Sequence, residues 1–439
     1  MGCSAKQYTD IYDANQALLS GDRSAARQAL ASAELDDAFA ADYGLNLNRV
    51  ALPVNVADSF RCGVPTVSTT MALVVNDTFA PTARLDERLP QGVRFMSLGD
   101  AMRECPQLVT PHLHVADGDP LTQLNDLLVQ DGVFIYIPRG VRLQRPLQLV
   151  NIFSAPIDLM AVRRVVIVVE EGAEGKLLVC DHTQDRSRRY LGLQLVQISL
   201  ADGAAFQLHD IEESSPLTTR RYSLRCRLAA HSSLRLSVST LSGGDTTNDI
   251  RIDLDGDGAE AVVNGMAITD GTQLASNATT VRHHGEHTHS DQLFKYVADG
   301  ESRGEFRGSI VVDESARFTE AYQTNRNILA SDTARMHTEP TLEIYCDEVK
   351  CSHGAATGQL DPQALFYMRT RGIPEDTARH MLMEAFMADV IDSIGIEGLR
   401  ERMRMLVERR FSGIADARCA DCGASTTTCV SSTLDKNYD

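Results

Sequence analysis

The chain has 439 residues, 60 acidic against 42 basic side chains and a formal net charge of −18. That length suits two or three structural units around a large core, and the charge argues against nucleic acid or an anionic membrane as the main partner. No apolar run approaches the roughly 18 residues that span a bilayer, and the N-terminus lacks the apolar core of a secretion signal, so the expected location is cytoplasmic.

Ten cysteines spread through a chain of this size fit reduced thiols better than a disulfide framework. Tryptophan is absent and aromatics make up 5%, so the core must rest on Val, Leu, Ile and Ala. Residues 1–130 read as an N-terminal helical and mixed region. Ala-rich segments such as residues 24–33 and an amphipathic stretch at 122–129 predict helices, residues 98–105 a short helix, and residues 71–75 a strand.

From Asp131 the character changes to short apolar strands separated by Gly, Asp or Ser turns, at 132–138, 165–169, 193–200, 234–239 and 249–254. The turns recur about every 25 to 30 residues, the spacing of a stacked repeat. Residues 131–329 show no helical period, which is long for a single sandwich. The pattern therefore predicts a mainly β fold, a parallel solenoid over residues 131–360.

Helices return after Leu360. Asp361 and Pro362 form an N-cap with proline at the first helical position, and Gly372 ends that helix. A second helix from Pro374 carries Ala378, Leu382, Phe386, Val390 and Ile394 at i, i+4 spacing, flanked by Met383, Met387 and Ile391. Its broad stripe suits packing on the solenoid and a partner alike. A third, residues 397–411, carries Arg400, Arg402, Arg404, Arg409 and Arg410, read as solvated charges. Residues 361–411 thus form a C-terminal helical domain, and residues 412–439 a flexible tail holding Cys419, Cys422 and Cys429.

Candidate chemistry gathers where strands give way to helices. If residues 350–354 are extended, Cys351 and His353 project to one face. A thiolate beside an imidazole can hold iron or zinc, but two ligands do not close a site, so a neighbouring strand or second chain must add more. The plainer alternative is a buried Cys beside a hydrogen-bonded His. Cys346 would face away in an unbroken strand, unless a turn at Asp347 and Glu348 resets the parity.

His283, His284, His287 and His289 form a second cluster. In a continuous strand His283, His287 and His289 share a face and His284 takes the other; metal binding and turn hydrogen bonding are both open to them. The tail thiols Cys419, Cys422 and Cys429 make half a zinc or cluster site, or simple reduced thiols. Cys62, Cys105, Cys180 and Cys226 read as small core residues. No Walker loop, Rossmann glycine triplet, nucleophile elbow or zincin helix is present, so the chain is expected to be a scaffold without catalysis of its own.

The run 349–355, with Lys350, Cys351, Ser352, His353 and Gly354, followed by 365–372, resembles the SufB/SufD family of the SUF iron–sulfur cluster assembly system. A second matching block lies between His284 and Gly308 and includes Ser290, Gln292, Lys295, Ser302, Arg303, Gly304 and Phe306. The resemblance implies a right-handed parallel β-helix between helical ends, and pairing with a SufB-like paralogue along the C-terminal β region. It also implies recruitment of a SufC-like ATPase by the C-terminal helices, with Leu365, Phe366, Arg369, Leu382 and Phe386 as candidates. Cys351 and His353 would lie at the paralogue interface and share a transient iron or iron–sulfur cluster with the partner, with no permanently bound cofactor.

B-type members carry a glutamate after the equivalent histidine and a cysteine ahead of the His-Thr-x-Pro element. Here Gly354 and Ala334 stand in those places, before His337, Thr338 and Pro340, so the chain resembles the D-type branch. Cys346 and the tail thiols depart from the family pattern. Two other classes remain as alternatives: a stand-alone metal- or thiol-binding solenoid, and a β-helix enzyme acting on polysaccharide, which the few aromatics and missing secretion signal disfavour.

Overall fold

From Val133 to Gly358 the chain alternates apolar strands with tight turns, and successive strands fall alternately into two sheets. A computed structural model describes residues 5–14, 24–46, 68–82, 85–113 and 118–412. Each strand in this run pairs in parallel with the strand two places on, so that Tyr190–Leu200 lies beside Thr218–Leu228 and His289–Ala298 beside Glu320–Leu329. Two ten-stranded sheets result, and no helix interrupts residues 131–329. The expected parallel solenoid is the observed fold.

The turn between sheets needs a left-handed residue in coil after coil. Gly172, Gly203, His231, Gly258, His287 and Phe318 all have positive φ there. The N–H of each donates to the coil above, from Gly203 to Ala230 at 2.8 Å through Phe318 to Glu348 at 2.7 Å. Glycine adopts this conformation freely, whereas His231, His287 and Phe318 hold it at a cost of order 1 kcal/mol each.

The lumen is divided lengthwise. One half is apolar, with Ile167, Ile198, Leu224, Ile250, Val263 and Phe294 fully or almost fully buried. The other half carries a chain of polar contacts from coil to coil. Arg163 lies 3.5 Å from Asp181, and Arg220 pairs with Asp181 at 3.1 Å and Asp210 at 2.7 Å. Arg220 also donates to Asn248, Asn248 to Asn277, Asn277 to the Tyr296 hydroxyl, and Tyr296 to the Glu305 carbonyl. Cys226 lies in the lumen, and Cys105 and Cys180 in other buried clusters, as expected of small core residues; Cys62 is outside the described residues.

Both outer faces are covered. Over one sheet lie Ala5–Ala14, Ser24–Ala31 and Pro120–Leu128, packed through Leu30, Phe39, Leu124 and Leu127 against Met160, Leu191 and Leu193. Ion pairs fasten this cover, Arg164 to Asp126, Arg221 to Asp36 at 2.6 Å and Arg225 to Asp119 at 3.5 Å. The expected strand and helices in this region appear as Thr70–Val75, Leu98–Glu104 and Pro120–Leu128.

Over the other sheet lie Pro362–Thr370, Glu375–Asp392 and Glu397–Phe411. Asp361 caps the first by accepting from the Gln363 N–H at 2.9 Å, and Gly372, at φ 84°, follows its end. The buried face of the second is Ala378, Met383, Met387, Val390 and Ile391. Two arginines of the third are not solvated, as their charge alone suggested. Arg402 is buried, and Arg410 clamps the solenoid through the Leu241 carbonyl, Asp270 and Gln273 at 2.5 to 2.8 Å. A long guanidinium stem packs along apolar surface while its fork seeks acceptors on the sheet rim.

Lys295 fixes the middle helix. Its ammonium, 3% exposed, donates to the Phe386 carbonyl at 2.7 Å and to Asp389 at 2.6 Å, and sits 4.8 Å from the Phe386 ring centroid. Lys295→Met removes these contacts without stranding a buried charge, so a loss of about 1–3 kcal/mol is expected. Hydrogen exchange should show the amides of Glu375–Asp392 opening faster while those of the lumen strands stay protected; unchanged helix protection would refute this clasp.

Candidate functional site

The two ends of the solenoid differ. At the N-terminal end each sheet finishes in a short antiparallel strand, Thr78–Pro81 on Thr70–Val75 and Arg94–Ser97 on Val133–Ile137. At the C-terminal end the last strands, Arg335–Ile344 and Lys350–Gly358, lie at the sheet edges, with no further strand beyond them among the described residues. Nearly all residues of these strands are exposed or half-buried, whereas the strands beneath them alternate with buried positions. A long edge of unpaired backbone is a template for strand pairing with another chain.

Cys351 and His353 lie on this final coil. In register they sit beside Ala321 and Gln323, which are buried and face the lumen, so the two share a face, as their parity predicts, and that face points inward. Because no coil among the described residues covers them, Cys351 is half-buried and His353 exposed. Burial pushes the Cys351 thiol up, and the nearby Cys346 adds to the shift. Gln323, 1% exposed, has no hydrogen-bond partner for either amide atom among the described residues. Gly308 makes room for it, since a Cβ there would stand 2.3 Å from its Nε2. Around this mouth Thr338 donates to Asn325 at 2.8 Å, and Asn327 to Thr357 at 3.0 Å.

Cys346 joins this end of the lumen. The chain leaves strand geometry at Tyr345, and Asp347 and Glu348 form a bend before Lys350. The parity is reset there, and Cys346 and Cys351 pack on the same buried cluster of Ile310, Val312, Ala316 and Ala321.

The histidine cluster does not assemble. The strand Leu274–His283 ends at its first member, and the next begins at His289, so a common strand face for His283, His287 and His289 is not formed. A turn with positive φ at His287 separates them. His283 is fully buried between the Thr288 hydroxyl at 2.8 Å and that of Ser290 at 2.9 Å, and burial drives its pKa down to about 3. His284 pairs with Asp313 at 2.6 Å, and His287 stacks on Phe318 at 4.8 Å. Among the described residues no group of three or more His, Cys, Asp or Glu is placed to hold a metal ion. Cys419, Cys422 and Cys429 lie outside the described residues.

On the C-terminal helices Phe366, Tyr367 and Met381 are 67%, 59% and 47% exposed, and Arg369 pairs with Glu375 at 3.2 Å. Leu365 is half-buried, and Leu382 and Phe386 turn toward the solenoid against the Met383 and Met387 cluster. Sequence reasoning missed Tyr367 and Met381, whose exposure follows from how the helices dock rather than from their spacing. No described helix is long and apolar enough to cross a membrane.

Residues 152–386 match the family model for the SUF system FeS cluster assembly SufBD core domain, and residues 28–149 that for the SufBD protein N-terminal region. Among curated relatives, an iron–sulfur cluster assembly SufBD family protein of Synechocystis is 26% identical over 86% of this chain and 85% of its own. The iron–sulfur cluster assembly protein SufD of Escherichia coli is 29% identical over 66% of this chain and 69% of its own, and that of Bacillus subtilis 26% over 73% and 74%. With a core-domain match that spans more than half of its length and covers most of the solenoid, this chain belongs to the SufBD family of iron–sulfur cluster assembly proteins.

Proposed function

We propose that the chain is a D-type, non-catalytic assembly subunit that pairs with a SufB-like paralogue through its uncovered last coil. The carrying observation is the asymmetry of the solenoid: antiparallel strands finish the sheets at one end, whereas at the other the edge strands 335–344 and 350–358 are bare and present Cys351 and His353. A partner coil stacked there would cover the inward rank and supply the ligands that one thiol and one imidazole lack. Iron, sulfide or a nascent cluster is the cargo of that shared site, held transiently. His353 serves as a ligand or proton carrier and Cys351 as a ligand or sulfur relay.

The exposed Phe366, Tyr367 and Met381 on the helices suit a SufC-like ATPase, since exposed aromatics and methionine are typical contact residues. Movement of that ATPase would reach the last coil through helices that rest on the same sheet as Lys350–Gly358. The test is His353→Ala in the complex purified with both partners. Iron and acid-labile sulfide per complex should fall several-fold while the partners still co-purify. Unchanged cluster content would remove His353 from the site.

A further inference from the structure

Cys346 is not accounted for by the shared-ligand reading, and its position gives it a chemistry of its own. The corner that carries it is held at three points. The backbone N–H of Tyr345 donates to the Val312 carbonyl at 2.9 Å, that of Phe318 to the Glu348 carbonyl at 2.7 Å, and that of Lys350 to the Thr319 carbonyl at 2.9 Å. These bonds fold the segment from 345 to 350 back over the turn below it, which brings both cysteines onto one apolar floor of Ile310, Val312, Ala316 and Ala321. Both are free thiols, half-buried and packed on that one floor. Cys105, Cys180 and Cys226 are buried singly in other parts of the protein.

We propose that Cys346 and Cys351 form a redox-active dithiol that hydrogen peroxide closes into an intrachain disulfide. The thiolate sulfur of one cysteine attacks the peroxide O–O bond; an S–O bond forms, the O–O bond breaks, and the departing oxygen leaves as water after taking up a proton. The second sulfur then attacks the sulfenic sulfur, forming the S–S bond and expelling a second water. Two thiols lose two electrons and the peroxide gains them. The disulfide and the two protonated thiols are both uncharged, so the apolar floor accommodates either form. The pair also protects Cys351, since a neighbouring thiol that resolves the sulfenic acid stops irreversible oxidation to the sulfinic acid.

If the reading of Cys351 as a cargo residue holds, the disulfide takes that sulfur out of service until a thiol reductant restores it. The chemistry of the pair does not depend on that reading.

The experiment uses the full chain, reduced, freed of reductant, exposed to hydrogen peroxide, alkylated and digested without reduction. Trypsin cuts after Lys350, so the two cysteines fall on separate peptides that only a disulfide joins. The expected product is a chain lighter by about 2 Da whose Cys346 and Cys351 peptides are linked, reversed by dithiothreitol. Cys346→Ser should abolish the link and send Cys351 to sulfinic acid. The variant with Cys419, Cys422 and Cys429 all changed to Ser should keep the link. The proposal is overturned if wild-type Cys351 goes to sulfinic acid with no linked peptide, if neither thiol reacts, or if the link requires the tail thiols. A mapped disulfide in a chain that still supports normal cluster assembly when oxidised would instead reject the cargo role of Cys351 and leave the dithiol standing.

Discussion

Replacing Arg220 by alanine should cost about 3–5 kcal/mol of stability, the largest loss expected from any single lumen substitution. Arg220 is 3% exposed and faces Asp181 at 3.1 Å and Asp210 at 2.7 Å, both almost fully buried. Glu212 lies in the same chamber, its pKa pushed up to about 7 by burial, and accepts from Ser214 at 2.9 Å and Thr246 at 2.7 Å. This guanidinium, with Arg163 at 3.5 Å from Asp181, thus balances several buried carboxyls. Without it, Asp210 must take up a proton or remain an unpaired buried charge. The variant's folded state then binds more protons than its unfolded state, so its deficit should grow as pH rises and shrink toward pH 5. The urea midpoint of Arg220→Ala against wild type at two pH values checks both parts. A deficit under about 1 kcal/mol at neutral pH, or one that does not vary with pH, would mean that water or relaxation replaces the guanidinium.

The same network shows what the sequence could and could not reveal. Strand runs such as 165–169 and 193–200 stood out because their apolar content and turn spacing are local properties, and the solenoid followed from their repetition. That Cys351 and His353 share one face was legible for the same reason, since strand parity needs no tertiary information, whereas which way that face points was not. Arg163, Asp181, Asp210 and Arg220 were not legible as a group. Each looks like an ordinary surface charge, and only the stacking of coils turns them toward one another. His287 failed in the opposite way: a strand reading gave it a face shared with His283, but a left-handed turn of the kind usually given to glycine lies between them. Arg410 was read as solvated because nothing local marks the sheet rim at Asp270 and Gln273 on which it closes. The residues between Ser290 and Phe306 that carried the family resemblance prove to be mostly interior. Ser290, Gln292, Ser302 and Phe306 are fully buried, so that motif records packing, whereas the motif around Cys351 and His353 records a surface.

His283 should give the solenoid a pH dependence that a single variant can isolate. Its ring is fully buried, held neutral between Thr288 and Ser290, with Thr288 in turn bonded to Thr319 at 2.8 Å. Burial is the main cause of its depression from 6.5 to about 3, helped by the neighbouring His289 and His284. Between those values the unfolded chain binds a proton at this position that the folded chain refuses. The contribution is therefore complete above pH 6.5 and is lost as pH falls toward the folded value. His209 acts in the same direction, with a pKa lowered to about 4, whereas Glu212, raised to about 7, acts in the opposite one. The wild-type curve alone mixes these terms. Subtracting the curve of His283→Gln removes His209 and Glu212, which both proteins share, and leaves His283. Glutamine keeps polar atoms near the Thr288 and Ser290 hydroxyls but does not titrate. Relative to that variant, wild type should lose up to about 1.4 kcal/mol per pH unit between pH 6 and 4. Parallel curves over that range would show that His283 is protonated in the folded protein and that its two hydroxyl partners accept from it rather than hold it neutral.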